Sequence, residues 1–267
     1  MPEPRLSAVV IARDEAHELA GCLEALSWAD ERVVVVDAAS TDATEAIARA
    51  NADRVIVRPF DTFAAQRNAG RAAAIGRWVL AVDADERVTP ELATEIRAVI
   101  DSPKPGFSGY RVPIRSVLFG RPFVASGTQL DRPLRLFLRE RGRWVGAVHE
   151  TVALDGRIGQ LRGVILHRTH ESLSVFLSKL DRYTTLEAAE LVARGQRPRW
   201  FDLTLRPLAT FLRLYVARGG FQDGAEGFLF CAMSGVSTLV RNAKLRELTC
   251  SRRQAVSART GLAGSLP

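Results

Sequence analysis

The chain has 267 residues, 47% hydrophobic and 25% charged, which suits a globular protein with a sizeable core and excludes a disordered or fibrous class. Its 37 lysines and arginines outnumber 30 acids for a net charge of +7, so nucleic acid, anionic lipid and phosphorylated substrates remain open as partners. Cys22, Cys231 and Cys250 are an odd three with no C-x-x-C pair, and no His/Cys cluster has zinc spacing. That argues against a disulfide framework or zinc centre and fits a reducing cytosol.

No signal peptide is expected, because the apolar run from Ser7 to Ala12 is short and meets Arg13-Asp14-Glu15 at once. Leu6 to Ala12 reads instead as a buried parallel strand. Leu19, Cys22, Leu23 and Leu26 mark one face of a helix over 15–26. Val33–Val36 is a second strand, followed by a helix that Thr41 or Asp42 can cap. Arg54–Val57 is a third strand, Thr62 opens an alanine-rich helix to about Ile75, and Arg77–Val82 is a fourth strand. Thr89-Pro90-Glu91 combines a cap, a first-turn proline and an acid at the positive end of the helix dipole. The alternation predicts an α/β fold with a parallel sheet and right-handed crossovers.

After a Pro/Gly break at 101–106, short alternating segments at Tyr110–Ile114, Leu134–Leu138, Trp144–Val148 and Gly163–Leu166 are expected to extend the sheet antiparallel. The pattern then turns helical, over Val175–Leu191, Leu208–Val216 and Gly227–Val240. The last run is too short to span about 30 Å of hydrocarbon, so a buried or an interfacial helix is expected. Arg194, Arg197, Arg199, Arg206, Arg213 and Arg218 crowd this region, and Arg241, Lys244, Arg246, Arg252 and Arg253 follow. With Phe211, Leu212, Leu214, Tyr215, Phe228, Leu229 and Phe230 they leave two readings open: peripheral contact with an anionic membrane, or closure of the chain's own core.

The chemistry is concentrated in Val79-Leu80-Ala81-Val82-Asp83-Ala84-Asp85-Glu86, an apolar strand ending in three acids. Open α/β sheets bind ligands at the carboxyl ends of their strands. Neighbouring carboxylates repel unless a cation sits with them, and Mg2+ or Mn2+ favours one or two carboxylates plus substrate phosphate oxygens. Three further turns belong to the same edge: Arg13-Asp14-Glu15, Asp37 to Asp42, and Gln66-Arg67-Asn68.

In this order and at these strand ends, Ala8–Glu15, Val35–Thr44, Gln66–Gly70 and Val82–Glu86 resemble the inverting family 2 glycosyltransferases, which have the GT-A fold. Trp144-Val145-Gly146-Ala147-Val148-His149-Glu150, Arg135-Leu136-Phe137 and Gly219–Gly224 resemble the bacterial lipopolysaccharide-core β-glucosyltransferase branch. The resemblance implies a Rossmann-like, mostly parallel sheet with an antiparallel extension and a C-terminal helical region. It divides the chain into a nucleotide-sugar-binding half (1–105), an acceptor side of the same catalytic domain (106–170), a helical region (171–250) and a flexible tail (251–267).

It also implies roles. Asp37 lies by the nucleotide base, with Ile11 and Arg13 lining the pocket. Asp83 faces ribose or metal, and Asp85 is the main metal ligand. Gln66, Arg67 and Asn68 approach the diphosphate or sugar, and Glu150 is the general base. His149 and His167 are further candidates, the latter as an extra metal ligand. Ala38 departs from relatives that carry a second acid there.

Independently of any family, attack by a hydroxyl at an anomeric carbon needs a base for its proton and a cation for the departing diphosphate. The expected donor is a UDP-α-sugar and the expected acceptor a glycan or lipid-linked hydroxyl. The product is then β-linked, and the protein cytoplasmic or peripheral on the inner face of the cytoplasmic membrane. A polyprenyl-phosphate sugar transferase is a second reading. A basic nucleic-acid module is a third, disfavoured because strand-end acids repel phosphate and no aromatic stacking platform interleaves the arginines.

Overall fold

The computed structural model describes residues 5–102, 106–127, 131–146, 150–170 and 173–262. Two compact units divide the chain, one formed by Met1–Ser116 with Gln129–Thr169 and the other by Val117–Thr128 with His170–Pro267.

The first unit is built on β1 (Leu6–Ala12), β2 (Glu31–Asp37), β3 (Arg54–Arg58) and β4 (Trp78–Asp83), with helices α1 (Leu19–Glu24), α2 (Thr44–Asn51), α3 (Phe63–Ala73) and α4 (Pro90–Ile100) between and after them. β1 pairs in parallel with β2 and β4, and β2 with β3. The central strands are buried on both faces, which is why they read as unbroken apolar runs. Alternate residues serve two cores. Leu6, Ala8, Val10, Leu80 and Val82 pack with Leu19, Leu23, Leu92 and Ile96, whereas Val9, Val79 and Ala81 pack with Ala64, Phe137 and Trp144.

Helix starts follow the capping signals: Thr62 accepts from the Ala65 N–H at 3.1 Å and Thr89 from the Leu92 N–H at 3.3 Å. α1 begins later than the apolar spacing predicts, because Asp14 takes a left-handed conformation (φ +52°) and the chain turns before Leu19.

The antiparallel extension comes from β6 (Gly109–Arg111) and β9 (Leu134–Leu138); β12 (Ile158–Gln160) adds in parallel to β6, for a strand order of β12-β6-β9-β4-β1-β2-β3. One expected strand is cut short and two lie elsewhere. The expected strand 110–114 breaks at Val112-Pro113, and β7 (Ile114–Leu118) starts anew after the proline. β10 (Gly142–Val145) and β11 (Thr151–Leu154) make their own antiparallel pair. β13 (Ile165–His170) pairs with β5 (Glu86–Val88), a three-residue strand too short to show a period.

The second unit holds β8 (Arg121–Pro122), hairpin-paired with Val117 and Leu118, and helices α5 (Leu173–Ala193), α6 (Leu205–Leu212) and α7 (Gly224–Leu262). α6 widens into a π-type turn over Arg213–Ala217. α7 continues through Cys250 to Leu262, where the sequence pattern predicts irregular chain. Gly219 and Gly224 sit at φ +70° and +69°, which favours glycine. Between them Asp223 accepts from the Val124 and Ala125 N–H groups and the Ser126 hydroxyl at 2.7, 3.2 and 2.9 Å. Among the described residues no helix is long and apolar enough to cross a membrane.

Candidate active site

Register brings the expected turns to one edge. Ile11 lies opposite Val35 on one side and Asp83 on the other, so β1, β2 and β4 end together. The first two turns are tied to each other: Asp14 accepts from the Thr41 N–H at 2.7 Å, the Glu15 N–H donates to Thr44 Oγ1 at 2.7 Å, and the Ala16 N–H donates to Asp42 at 3.0 Å. Asp37 is buried behind them. Its Oδ1 accepts from the Ala39 N–H at 2.9 Å. Its Oδ2 lies 3.2 Å from Arg13 Nη1 but has no hydrogen bond among the described residues.

Asp83 is held between two guanidiniums, Arg67 Nη2 at 2.7 Å from Oδ1 and Arg135 Nη2 at 3.0 Å from Oδ2. Burial alone would raise its carboxyl, but Arg67 and Arg135 keep it well below the usual carboxylate range. Arg135 also reaches Glu86 Oε1 at 2.7 Å, and Glu86 Oε2 accepts the Asp83 N–H at 2.8 Å. Glu86 is 1% exposed. Burial pushes its carboxyl up to about 7, helped by repulsion from Asp83 and opposed by Arg135. Burial works against the charge on Arg135, and Glu86 and Asp83 more than restore it.

Asp85 faces the other way. Its Oδ2 is 3.0 Å from His167 Nε2, and its carbonyl accepts from the Arg168 N–H at 2.9 Å. β13 therefore delivers the histidine. Burial would lower the His167 pKa, but the hydrogen bond and charge of Asp85 raise it overall. Beneath this pair Glu18, at the start of α1, accepts from Arg87 and sits 3.2 Å from Arg168 Nε. Among the described residues no three His, Cys, Asp or Glu side chains converge on one point. Asp85 and His167 are thus a two-ligand offer.

α3 supplies Arg67 because Gly70, one turn on, lets the helix lie against β1 and β2: a Cβ there would meet Val9 Cγ1 at 2.3 Å. Arg67 lies over the Trp144 ring, 4.8 Å from its centroid, and its Nε is 3.5 Å from Glu150 Oε1. Buried Arg67 Nη1 has no hydrogen-bond partner among the described residues. Arg67 thus brings Asp83 and Glu150 to one place.

Its two neighbours are occupied with protein. Asn68 donates to the Trp144 carbonyl at 2.8 Å and accepts its N–H at 3.0 Å, pinning β10 to α3. Buried Gln66 contacts Arg58 Nη1 at 3.4 Å and the Pro59 carbonyl at 3.5 Å. His149 lies outside the described residues. The sequence motifs give Glu86 and Arg135 no individual role. The signal was present, since Glu86 closes the acidic run and Arg135 opens Arg-Leu-Phe, but 49 residues separate the pair.

Residues 7–151 match the family model described as Glycosyl transferase family 2. The chain is 31% identical over 277 residues to the lipopolysaccharide core biosynthesis glycosyltransferase LpsC of Rhizobium meliloti (strain 1021), covering 100% of this chain and 99% of the relative. It is 25% identical over 265 residues to an uncharacterized glycosyltransferase of Rickettsia typhi, covering 95% and 91%. A solved structure of S. aureus TarS 1-349 in complex with UDP-GlcNAc aligns with a TM-score of 0.46 at 16% identity, covering 94% of this chain and 92% of that one.

Proposed function

The chain belongs to glycosyl transferase family 2, and from that premise we propose that it moves a hexosyl group, glucose in the branch it resembles, from UDP to a hydroxyl of a lipid-linked acceptor in lipopolysaccharide-core assembly. The observation that supports this most is Arg67, which meets Asp83 and Glu150 at once beside the Asp85–His167 pair.

The donor set suits Mg2+ or Mn2+. Asp85 would offer a carboxylate oxygen and His167 an imidazole nitrogen, now 3.0 Å apart, and the departing diphosphate would supply further oxygens. Asp85 and His167 would hold the cation, which when bound offsets charge on the departing diphosphate.

The protein's own groups do the rest. Asp37 Oδ2, a buried acceptor without a hydrogen bond, suits the imide N–H of uracil, with Arg13 and Ile11 beside it. The unmatched Nη1 of Arg67 suits a phosphate or sugar oxygen. Asp83, fixed from both sides, orients Arg67 and faces the ribose. Glu150 takes the acceptor hydroxyl's proton as that oxygen attacks the anomeric carbon and the C–O bond to UDP breaks. One displacement with no covalent enzyme nucleophile inverts the centre. The reading places the enzyme in the cytoplasm, with peripheral contact at the inner membrane face, where a lipid-linked acceptor resides.

The test is transfer from UDP-α-glucose to lipid-linked core glycan, with the product's anomeric coupling read by NMR. A β-linkage is expected. An α-linked product, or turnover undiminished in Glu150→Gln, would refute the assignment.

A further inference from the structure

The second unit carries a basic pocket that the transfer reaction does not use. Arg197, Arg199, Trp200, Leu203, Arg246 and Thr249 line a cavity of about 340 Å³ between the segment entering α6 and the last part of α7. No carboxylate lines it. Arg197, Arg199 and Arg246 have no ion-pair partner among the described residues, and the nearby acid is committed elsewhere: Asp202 accepts the Arg199 backbone N–H at 2.7 Å and pairs with Arg206 at 3.0 Å. Three guanidiniums without a carboxylate partner, Arg199 lying over the Phe201 ring at 5.8 Å, suit a phosphate dianion in a cavity of this size. Trp200 stands beside them 70% exposed, an amphipathic ring of the kind enriched at membrane–water boundaries.

An apolar stripe begins five residues further on. Leu205, Leu208, Leu212 and Val216 recur at helical spacing along α6 and its π-type turn, and all are exposed, from 47% to 60%. Arg206 and Arg213 flank the stripe, and Arg213 and Arg218 have no carboxylate partner among the described residues. The adjoining strip of the same helix is packed. Phe211 stacks on Tyr215 at 5.3 Å, and both meet Phe228 edge-on at 5.6 and 5.7 Å. Phe211 and Tyr215 are half-buried in this aromatic cluster, whereas Phe228 is itself 52% exposed and the four aliphatics of the stripe stay exposed beside it. An exposed apolar stripe edged by arginine, next to an anion pocket, is the pattern of a surface that lies on anionic lipid.

We propose that the Arg197–Arg199–Arg246 pocket receives a terminal phosphate of a membrane lipid headgroup while Trp200 and the α6 stripe enter the interfacial layer. The proposal deepens the membrane-proximal part of the functional reading but uses neither donor nor metal.

Flotation tests it, with vesicles of phosphatidylcholine alone, phosphatidylcholine with phosphatidylglycerol, and phosphatidylcholine with phosphatidic acid, the last two matched in surface charge. The protein is expected to float with anionic vesicles at low salt, most strongly with phosphatidic acid. Arg199→Gln and Arg246→Gln should each weaken that binding about fivefold, the worth of one arginine near such a surface. Leu208→Ser/Leu212→Ser should weaken it for both anionic vesicles alike, and thermal melting should confirm that each variant is folded. Glycerol 3-phosphate reports the soluble source of the same chemistry: if it saturates the protein while no vesicle recruits it, the proposal is overturned. Sedimentation with every vesicle overturns it too, as does binding that ignores the arginine variants. Nucleotide binding measured in parallel separates the two readings. A protein that binds UDP but never floats contradicts only this proposal, and one that floats but binds no nucleotide contradicts only the transferase assignment.

Discussion

Arg67 donates to Asp83 at 2.7 Å from a helix whose capping threonine lies five residues earlier, so one side chain ties α3 to the C-terminal end of β4. Removing it leaves Asp83 with Arg135 alone and takes away the guanidinium that meets Glu150. Arg67→Ala is expected to lower kcat by at least about 100-fold, the scale seen when a preorganised charge stabiliser is lost. Arg67→Lys should recover little, because a point charge cannot bridge two carboxylates as a guanidinium does. Steady-state kinetics on folded variants checks both.

Arg135 balances two acids at once, at 3.0 Å from Asp83 and 2.7 Å from Glu86. Arg135→Met leaves Glu86 buried without its counter-charge, and breaking such a pair costs about 3–5 kcal/mol. Urea denaturation should show that loss. The double variant Arg135→Met/Glu86→Gln should recover a measurable part of it, because the stranded acid is then gone.

Asp85→Ala and His167→Ala should both fold, with Asp85→Ala losing the effect of manganese on nucleotide binding and His167→Ala needing more manganese to show it. His167→Ala keeps the carboxylate, so it should bind metal more weakly without abolishing turnover. A metal titration of activity separates the two variants.

At the far edge of the sheet, Asp30 accepts from the Arg5 and Leu6 N–H groups, both at 2.9 Å, and from Arg97 at 2.8 Å. Burial tends to raise its carboxyl, but these hydrogen bonds, led by Arg97, lower it overall. A carboxyl depressed in the folded state contributes stability that is complete above its unfolded pKa, about 3.9, and disappears as pH falls through the folded value. Asp30→Asn should therefore lower the melting temperature at pH 7 and flatten the decline in stability below about pH 4.

Gly70→Ala should destabilise by about 1–3 kcal/mol through overpacking against Val9, and should reduce activity by displacing Arg67. Equilibrium denaturation with a parallel activity assay checks it.

The central strands and the starts of α3 and α4 are legible in the sequence because burial on both faces and capping chemistry are local signals. β5 is not, since Glu86-Arg87-Val88 is too short for a period and exists by pairing with β13. β10 and β11 have strand-like residues, but no local signal says they pair with each other rather than extend the main sheet. The edge carrying Asp37, Asp83 and Asp85 is readable from strand ends. The partners of those acids, Arg135 and His167, come from elements 52 and 82 residues away that only the fold brings in. In α6 the composition shows that an apolar face exists, and packing against Phe228 leaves Phe211 and Tyr215 half-buried while Leu208 and Leu212 stay exposed.

The most direct measurement is thermal shift of the whole protein against UDP, GDP, CDP and dTDP, each with and without manganese, for the native chain and for Asp85→Ala. The account predicts stabilisation by UDP above the other nucleotides, present only with manganese and absent in the variant. Equal stabilisation by all four nucleotides, or an undiminished UDP shift without metal or without Asp85, would contradict it.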